Sequence, residues 1–181
     1  TLDPQVKNKD ISIVLETDER LPHRVHGDAT RIRQVLMNLA GNAVKFTEAG
    51  QVTLSVNVLK ETDKNVQLHF SVQDTGIGIT KDSIEHIFQS FVQADGSTTR
   101  KYGGSGLGLS ITTQLVALMG GKVDVQSEPG VGSTFAFDLT LPVAQASGRQ
   151  NADATIFDEM QVLLFDENRT TSYVFTQKLE S

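Results

Sequence analysis

Between residues 29 and 46, Arg31, Asn38, Asn42 and Lys45 recur at steps of seven, four and three. On a helix this spacing sets all four along roughly one side. Asn is a poor helix former, so two of them in mid-helix want a reason. A carboxamide oxygen is a suitable hard ligand for Mg²⁺, and a Lys nearby can hold phosphate charge. The plain alternative is a solvated polar face. Two glycine clusters supply an independent anion site: Asp74-Thr75-Gly76-Ile77-Gly78-Ile79 and Gly103-Gly104-Ser105-Gly106-Leu107-Gly108-Leu109. Glycines at this density let backbone N–H groups approach an anion closely. The second cluster runs into a predicted helix, whose unpaired N–H groups suit phosphate. Each cluster alone reads equally well as a glycine turn.

The familiar nucleotide fingerprints fail when tested. GxGxxG needs its third glycine where Lys81 stands, or, read from Gly104 and Gly106, where Leu109 stands. GxxxxGK(S/T) fails because Gly121-Lys122 is followed by Val123. Rossmann and P-loop readings are therefore disfavoured. No HRD or DFG triplet occurs, which disfavours a Ser/Thr/Tyr kinase.

These residues need a scaffold. Ile11–Leu15 is a β-branched run and reads as a strand. Asp28 is a good N-cap for a helix over Ala29–Phe46, with apolar Ile32, Val35, Leu36, Leu39 and Ala43 on one face and Gly50 as a stop signal. Val52–Leu59 and Val66–Val72 form a hairpin around a polar turn. Ser83–Phe91 and Leu107–Met119 have helical spacing, and Ala94–Gly104 between them reads as a mobile loop. Lys122–Gln126 and Ser133–Leu141 are two more strands, split by the turn Glu128-Pro129-Gly130. The body, about five strands and three helices, is a two-layer α/β sandwich rather than alternating βαβ. Val143–Glu159 reads as a linker, and Met160–Phe165 as a fresh strand followed by a helix start at Thr170.

Composition narrows the classes. With 38% hydrophobic and 21% charged residues the chain is globular. Its 16 Lys+Arg against 22 Asp+Glu argue against a nucleic-acid binder. Zero Cys excludes a disulfide scaffold, a cysteine nucleophile and a cysteine-ligated metal. No apolar run approaches the roughly 18 residues of a membrane helix. Opening on Thr1, the chain reads as a piece of something longer.

RIRQVLMNLAGNAVKF (31–46), DTGIGI (74–79), IFQSF (87–91), GGSGLGL (103–109) and GVGSTF (130–135) occur in this order. Together they resemble the N, G1, F, G2 and G3 boxes of the ATP-binding catalytic domain of sensor histidine kinases, the hybrid type above all. That fold is shared with gyrase, the ninety-kilodalton heat-shock chaperones and the MutL ATPases. The resemblance covers about 11–142 and implies a Bergerat fold: a mixed, mostly antiparallel five-stranded sheet packed on three helices. It implies ATP and Mg²⁺ as ligands. Asn42 then resembles the metal-ligating Asn, Asn38 lines the phosphate side, Lys45 contacts phosphate and Phe46 packs on adenine. Asp74 resembles the carboxylate that accepts the adenine amino hydrogen, with Gly76, Gly78 and Ile79 beneath the base. Phe88 and Phe91 anchor a lid or are plain core residues. Arg100 and Lys101 reach the phosphates or are solvated. Gly104, Ser105, Gly106, Leu107, Gly108 and Leu109 form the phosphate-facing turn, and Thr134 resembles the Thr near the base.

Gln89-Ser90 replaces the commoner Glu-Pro of the F box, and Ser105 a frequent Thr. Gly41 inside the first helix costs up to about 1 kcal/mol against Ala. Asn38 stands where ATPases of this fold usually carry a Glu base. It cannot take a proton at neutral pH, which favours transfer to a protein acceptor over hydrolysis. None of His23, His26, His69 and His86 sits in the H-(D/E)-x-x-x-P setting of a phosphoacceptor. The resemblance therefore implies that the acceptor, a dimerising helical hairpin of the same protein, precedes Thr1, with 1–10 a remnant of the connection. QVLLFDEN (161–168) resembles the first strand of a receiver domain, with Asp166 and Glu167 as its acidic pair; the alternative is an ordinary strand ending in a polar turn. Other implied partners are a receiver in cis or a response regulator. The implied setting is cytoplasmic, with a monomeric fragment, a full-length homodimer and any membrane anchor outside this chain. An ATP-driven clamp and a degenerate, non-catalytic binding domain are the competing functions.

Overall fold

The computed structural model describes residues 9–84, 86–88 and 108–144. The chain divides into two units, Thr1–Ala144 and Gln145–Ser181. The second lies outside the described residues, and with it the expectations for the remaining linker and the receiver-like strand.

Strand β1 (Asp10–Thr17) leads to helix α1 (Ala29–Phe46), then strands β2 (Ala49–Glu61) and β3 (Asn65–Asp74). Short helix α2 (Lys81–Ile84) and helix α3 (Gly108–Leu118) follow, then strands β4 (Val123–Glu128) and β5 (Gly132–Pro142). The strands form one five-stranded sheet in the order β1-β2-β3-β5-β4. β1 lies parallel to β2, and the other pairs are antiparallel. This is the mixed, mostly antiparallel sheet expected, with helices on one face.

Helix α1 starts where Asp28 accepts a hydrogen bond from the Arg31 N–H, which satisfies one orphan donor of the first turn. Its apolar stripe buries Val35, Leu39, Ala40, Ala43 and Val44. β3 alternates strictly: Val66, Leu68, Phe70, Val72 and Asp74 are buried, and the residues between them face the other side. Phe70 and Phe137, paired across β3 and β5, stack with ring centroids 4.9 Å apart.

Two expectations change. Gly50 does not end α1. The helix stops at Phe46, and Thr47 takes an extended conformation while its N–H still bonds to the Ala43 carbonyl. Gly50 is the second residue of β2, in register with Ile11. Of the helix expected over Ser83–Phe91, Ser83 and Ile84 lie in the short helix α2 (Lys81–Ile84), residues 86–88 form a turn, and residues 85 and 89–91 lie outside the described residues. The Ser83 carbonyl is shared there between the His86 N–H, a tighter 3₁₀-type bond, and the Ile87 N–H, an α-type bond. At the other end, Val143 and Ala144 still bond to the Lys64 and Arg24 carbonyls, so the body runs two residues past Pro142.

Candidate nucleotide site

Three segments converge at one end of the sheet: the second half of α1, the loop leaving β3 at Asp74, and the N-terminus of α3. Asn38 joins the two helices. Its Nδ2 donates to the Gly108 carbonyl at 2.5 Å and to the buried Thr112 Oγ1 at 2.9 Å. A Cβ on Gly108 would lie 2.8 Å from Asn38 Oδ1, so glycine is what allows this approach. Asn38 thus spends its amide nitrogen on fixing the start of α3. Asn42, half-buried, stands one turn further along the same face of α1.

Lys45 and Phe46 form the last turn of α1. The Lys45 ammonium lies 4.8 Å from the Phe46 ring centroid, within cation–π range. Partial burial lowers the Lys45 pKa from its ordinary value. The Phe46 carbonyl accepts the Ile77 N–H at 3.3 Å, which ties the glycine loop to the end of α1.

Asp74 ends β3 and is 7% exposed. Burial raises its pKa above the ordinary carboxylate value, while hydrogen bonds from the Gly76 and Ser133 N–H groups oppose that rise. The Gly76 N–H lies 2.9 Å from Oδ1, which fixes the carboxylate. A fixed, ionised carboxylate accepts from an amino group and disfavours a carbonyl at the same place. Beyond it, Gly78 adopts φ +68°, and a Cβ there would run into the Glu128 backbone. The Ile79 N–H donates to Ser127 Oγ at 2.8 Å, and that hydroxyl bonds to the Gly132 carbonyl and meets Ser133 Oγ at 3.0 Å.

Thr134 does not join this group. It stands in register with Gln73 and Gln126, on the sheet face opposite Asp74. Ser133 is the residue paired with Asp74, because successive strand residues point to opposite faces. Ser127 and Ser133 are the residues on the Asp74 side of the sheet; Ser133 lies inside GVGSTF, but the motif alone does not reveal the strand register. Arg31 is also apart: it pairs with Asp28 at 3.0 Å, about 16 Å along the helix axis from Asn42 at 1.5 Å per residue. Ile79, Leu109, Ile87 and Phe88 pack against the core. Phe91, Arg100, Lys101, Gly104, Ser105, Gly106 and Leu107 lie outside the described residues.

His23, His26 and His86 are exposed, and His69 pairs with Asp138 at 2.7 Å across β3 and β5 on the polar sheet face. Among the described residues no cluster of three His, Cys, Asp or Glu could cage a metal. A single carboxamide at Asn42 fits Mg²⁺, which keeps water and phosphate oxygens as its main ligands.

Comparison with known proteins agrees with this architecture. The family model described as histidine kinase-, DNA gyrase B-, and HSP90-like ATPase matches residues 27–145. The chain is 43% identical over 142 residues to hybrid signal transduction histidine kinase F of Dictyostelium discoideum, covering 78% of this chain and 13% of that protein. It is 46% identical over 149 residues to hybrid signal transduction protein dokA of the same organism, covering 81% of this chain and 9% of that protein. The chain thus spans a small part of these relatives. Full-length ShkA, crystallised in complex with AMPPNP, superposes with a TM-score of 0.68 at 40% identity, covering 79% of this chain and 28% of that one. The nucleotide-free catalytic domain of histidine kinase ThkA gives 0.54 at 30% identity, covering 74% and 81%. With its five-stranded sheet, its ordered motifs and these relatives, the chain belongs to the histidine kinase-, DNA gyrase B- and HSP90-like ATPase family.

Proposed function

We propose that this domain binds Mg-ATP between α1, the Asp74–Ile79 loop and the start of α3, and passes the γ-phosphate to a histidine on a helical-hairpin domain of the same protein. One observation carries the reading. The Asp74 carboxylate is held by the Gly76 N–H, and the adjoining Ile77 N–H bonds to the last residue of the helix that bears Asn42 and Lys45. Base recognition and phosphate recognition are thereby joined through one short backbone segment. The hybrid kinase relatives and the AMPPNP complex of ShkA support it.

Asp74 accepts the adenine amino hydrogen. Asn42 supplies a carboxamide oxygen to Mg²⁺, which neutralises phosphate charge when bound. Lys45 adds a second positive charge, and Phe46 offers an apolar face to the base. The α3 N-terminus directs N–H groups at the phosphates. An acceptor histidine nitrogen attacks the γ-phosphorus, the bond to the β–γ bridging oxygen breaks, and ADP leaves with that electron pair. Positioning and charge neutralisation dominate such a transfer. Asn38 offers no base for water, and its nitrogen is already engaged with α3.

The test uses radiolabelled γ-phosphate, this chain and a separately made hairpin domain. Label on the hairpin histidine, abolished by Asn42→Ala, is the expected result. Steady phosphate release without a labelled histidine would favour an ATP-driven clamp instead. No calorimetric signal with Mg-ATP would overturn nucleotide binding altogether.

A further inference from the structure

Lys9 is the first described residue, one position ahead of β1. Its half-buried ammonium donates to three carbonyls at the end of α1: Val44 at 2.7 Å, Lys45 at 2.9 Å and Thr47 at 2.8 Å. The last carbonyls of a helix lack intrahelical partners, and a cation there also meets the negative end of the helix dipole. The remaining carbonyl of this run, that of Phe46, accepts the Ile77 N–H from the Asp74 loop. Four consecutive carbonyls are thus shared between one lysine ahead of β1 and one amide of the candidate nucleotide loop. The Thr47 hydroxyl is buried and has no hydrogen-bond partner among the described residues, so it caps none of these carbonyls. Lys9 closes three of these four carbonyls, and it comes from 35 to 38 residues away in the chain.

We propose that Lys9 is a positioning residue for nucleotide binding. It fixes the turn that carries Lys45 and Phe46, and it couples the chain entering β1 to the nucleotide site. The proposal rests on the nucleotide reading above. β1 begins at Asp10, which is in register with Ala49, so the segment held by Lys9 leads directly into the parallel pair β1–β2. Coupling of this kind is reciprocal: nucleotide that orders the end of α1 also strengthens the hold on Lys9 and the start of β1.

The experiment titrates Mg-ATP into the 181-residue chain by calorimetry, with Lys9→Met and Lys9→Arg beside it. Lys9→Met keeps the apolar stem and removes the charge; affinity is expected to fall about tenfold. Lys9→Arg restores cationic donors and should return affinity to within about threefold. Amide exchange supplies a readout that stability alone does not move. Nucleotide should slow exchange at Ile11–Val14 in the unaltered chain and not in Lys9→Met. Unchanged affinity in folded Lys9→Met overturns the proposal alone. Absence of Mg-ATP binding by the unaltered chain overturns the functional reading and this proposal with it. Should Lys9→Met not fold, the unaltered chain still decides: nucleotide binding without added protection at Ile11–Val14 overturns the coupling.

Discussion

Asn38 on α1 donates through Nδ2 to the carbonyl of Gly108, the residue that opens α3, and to Thr112 Oγ1 one turn further along. The amide therefore acts as a strut between two helices whose ends face the same site. Asn38→Ala leaves the buried Thr112 hydroxyl without this partner, a change expected to cost about 1–3 kcal/mol. Gly108→Ala forces a methyl to within 2.8 Å of Asn38 Oδ1 and displaces the same strut. The double variant should then be more stable than the sum of the singles predicts, by about 0.5 kcal/mol or more. Urea melts of the four proteins measure this; strict additivity would remove the strut.

Asp74 makes binding and stability depend on pH in opposite senses. Its pKa is raised by burial, so the folded form holds its proton to higher pH than the unfolded chain. Between the two pKa values the folded state binds more protons, so this group lowers stability as pH rises through that window. The ordinary carboxylate value of 3.8 marks the lower edge. Recognition of an amino group needs the ionised form, so ATP affinity should rise with pH over the same interval. Calorimetry and melts as a function of pH check both signs, and Asp74→Asn should abolish both slopes.

Lys45 and Asp74 should separate by ligand. Lys45→Gln removes phosphate-directed charge and is expected to weaken ATP about tenfold while changing adenosine little. Asp74→Asn should weaken both. Equal losses for ATP and adenosine in Lys45→Gln would show that its place is structural, against Phe46.

Ser127 and Thr134 test the strand register. Ser127→Ala removes the acceptor of the Ile79 N–H and a donor to the Gly132 carbonyl, with an expected cost of about 1–3 kcal/mol and weaker nucleotide affinity. Thr134→Val, on the far face, should change nucleotide affinity by less than about 0.5 kcal/mol. A larger effect at Thr134 than at Ser127 would contradict the observed pairing.

Much of the scaffold was readable in one dimension because its signals are local. The i, i+3, i+4 spacing of Ile32, Val35 and Leu36, continued by Leu39 and Ala43, with Asp28 ahead of them, marked α1 at Ala29–Phe46, and the helix occupies those residues. Alternation in β3 and the turn at Pro129-Gly130 located the hairpin strands within a few residues. The ordered motifs pointed to the family by the same kind of short-range signal.

What remained hidden depends on pairing between distant segments. Ser133 and Thr134 are adjacent and chemically alike; only the β3–β5 register turns one toward Asp74 and the other away. Asn38 reads from sequence as a phosphate-side residue, but the packing of α1 on α3 commits its nitrogen to Gly108. Lys9 carries no local pattern at all, and the carbonyls it closes lie 35 to 38 residues further along. Periodicity along the chain determines which face of an element is apolar. Which partner each polar atom meets is decided when the elements pack, because a hydrogen bond needs a distance and a direction that sequence spacing does not contain.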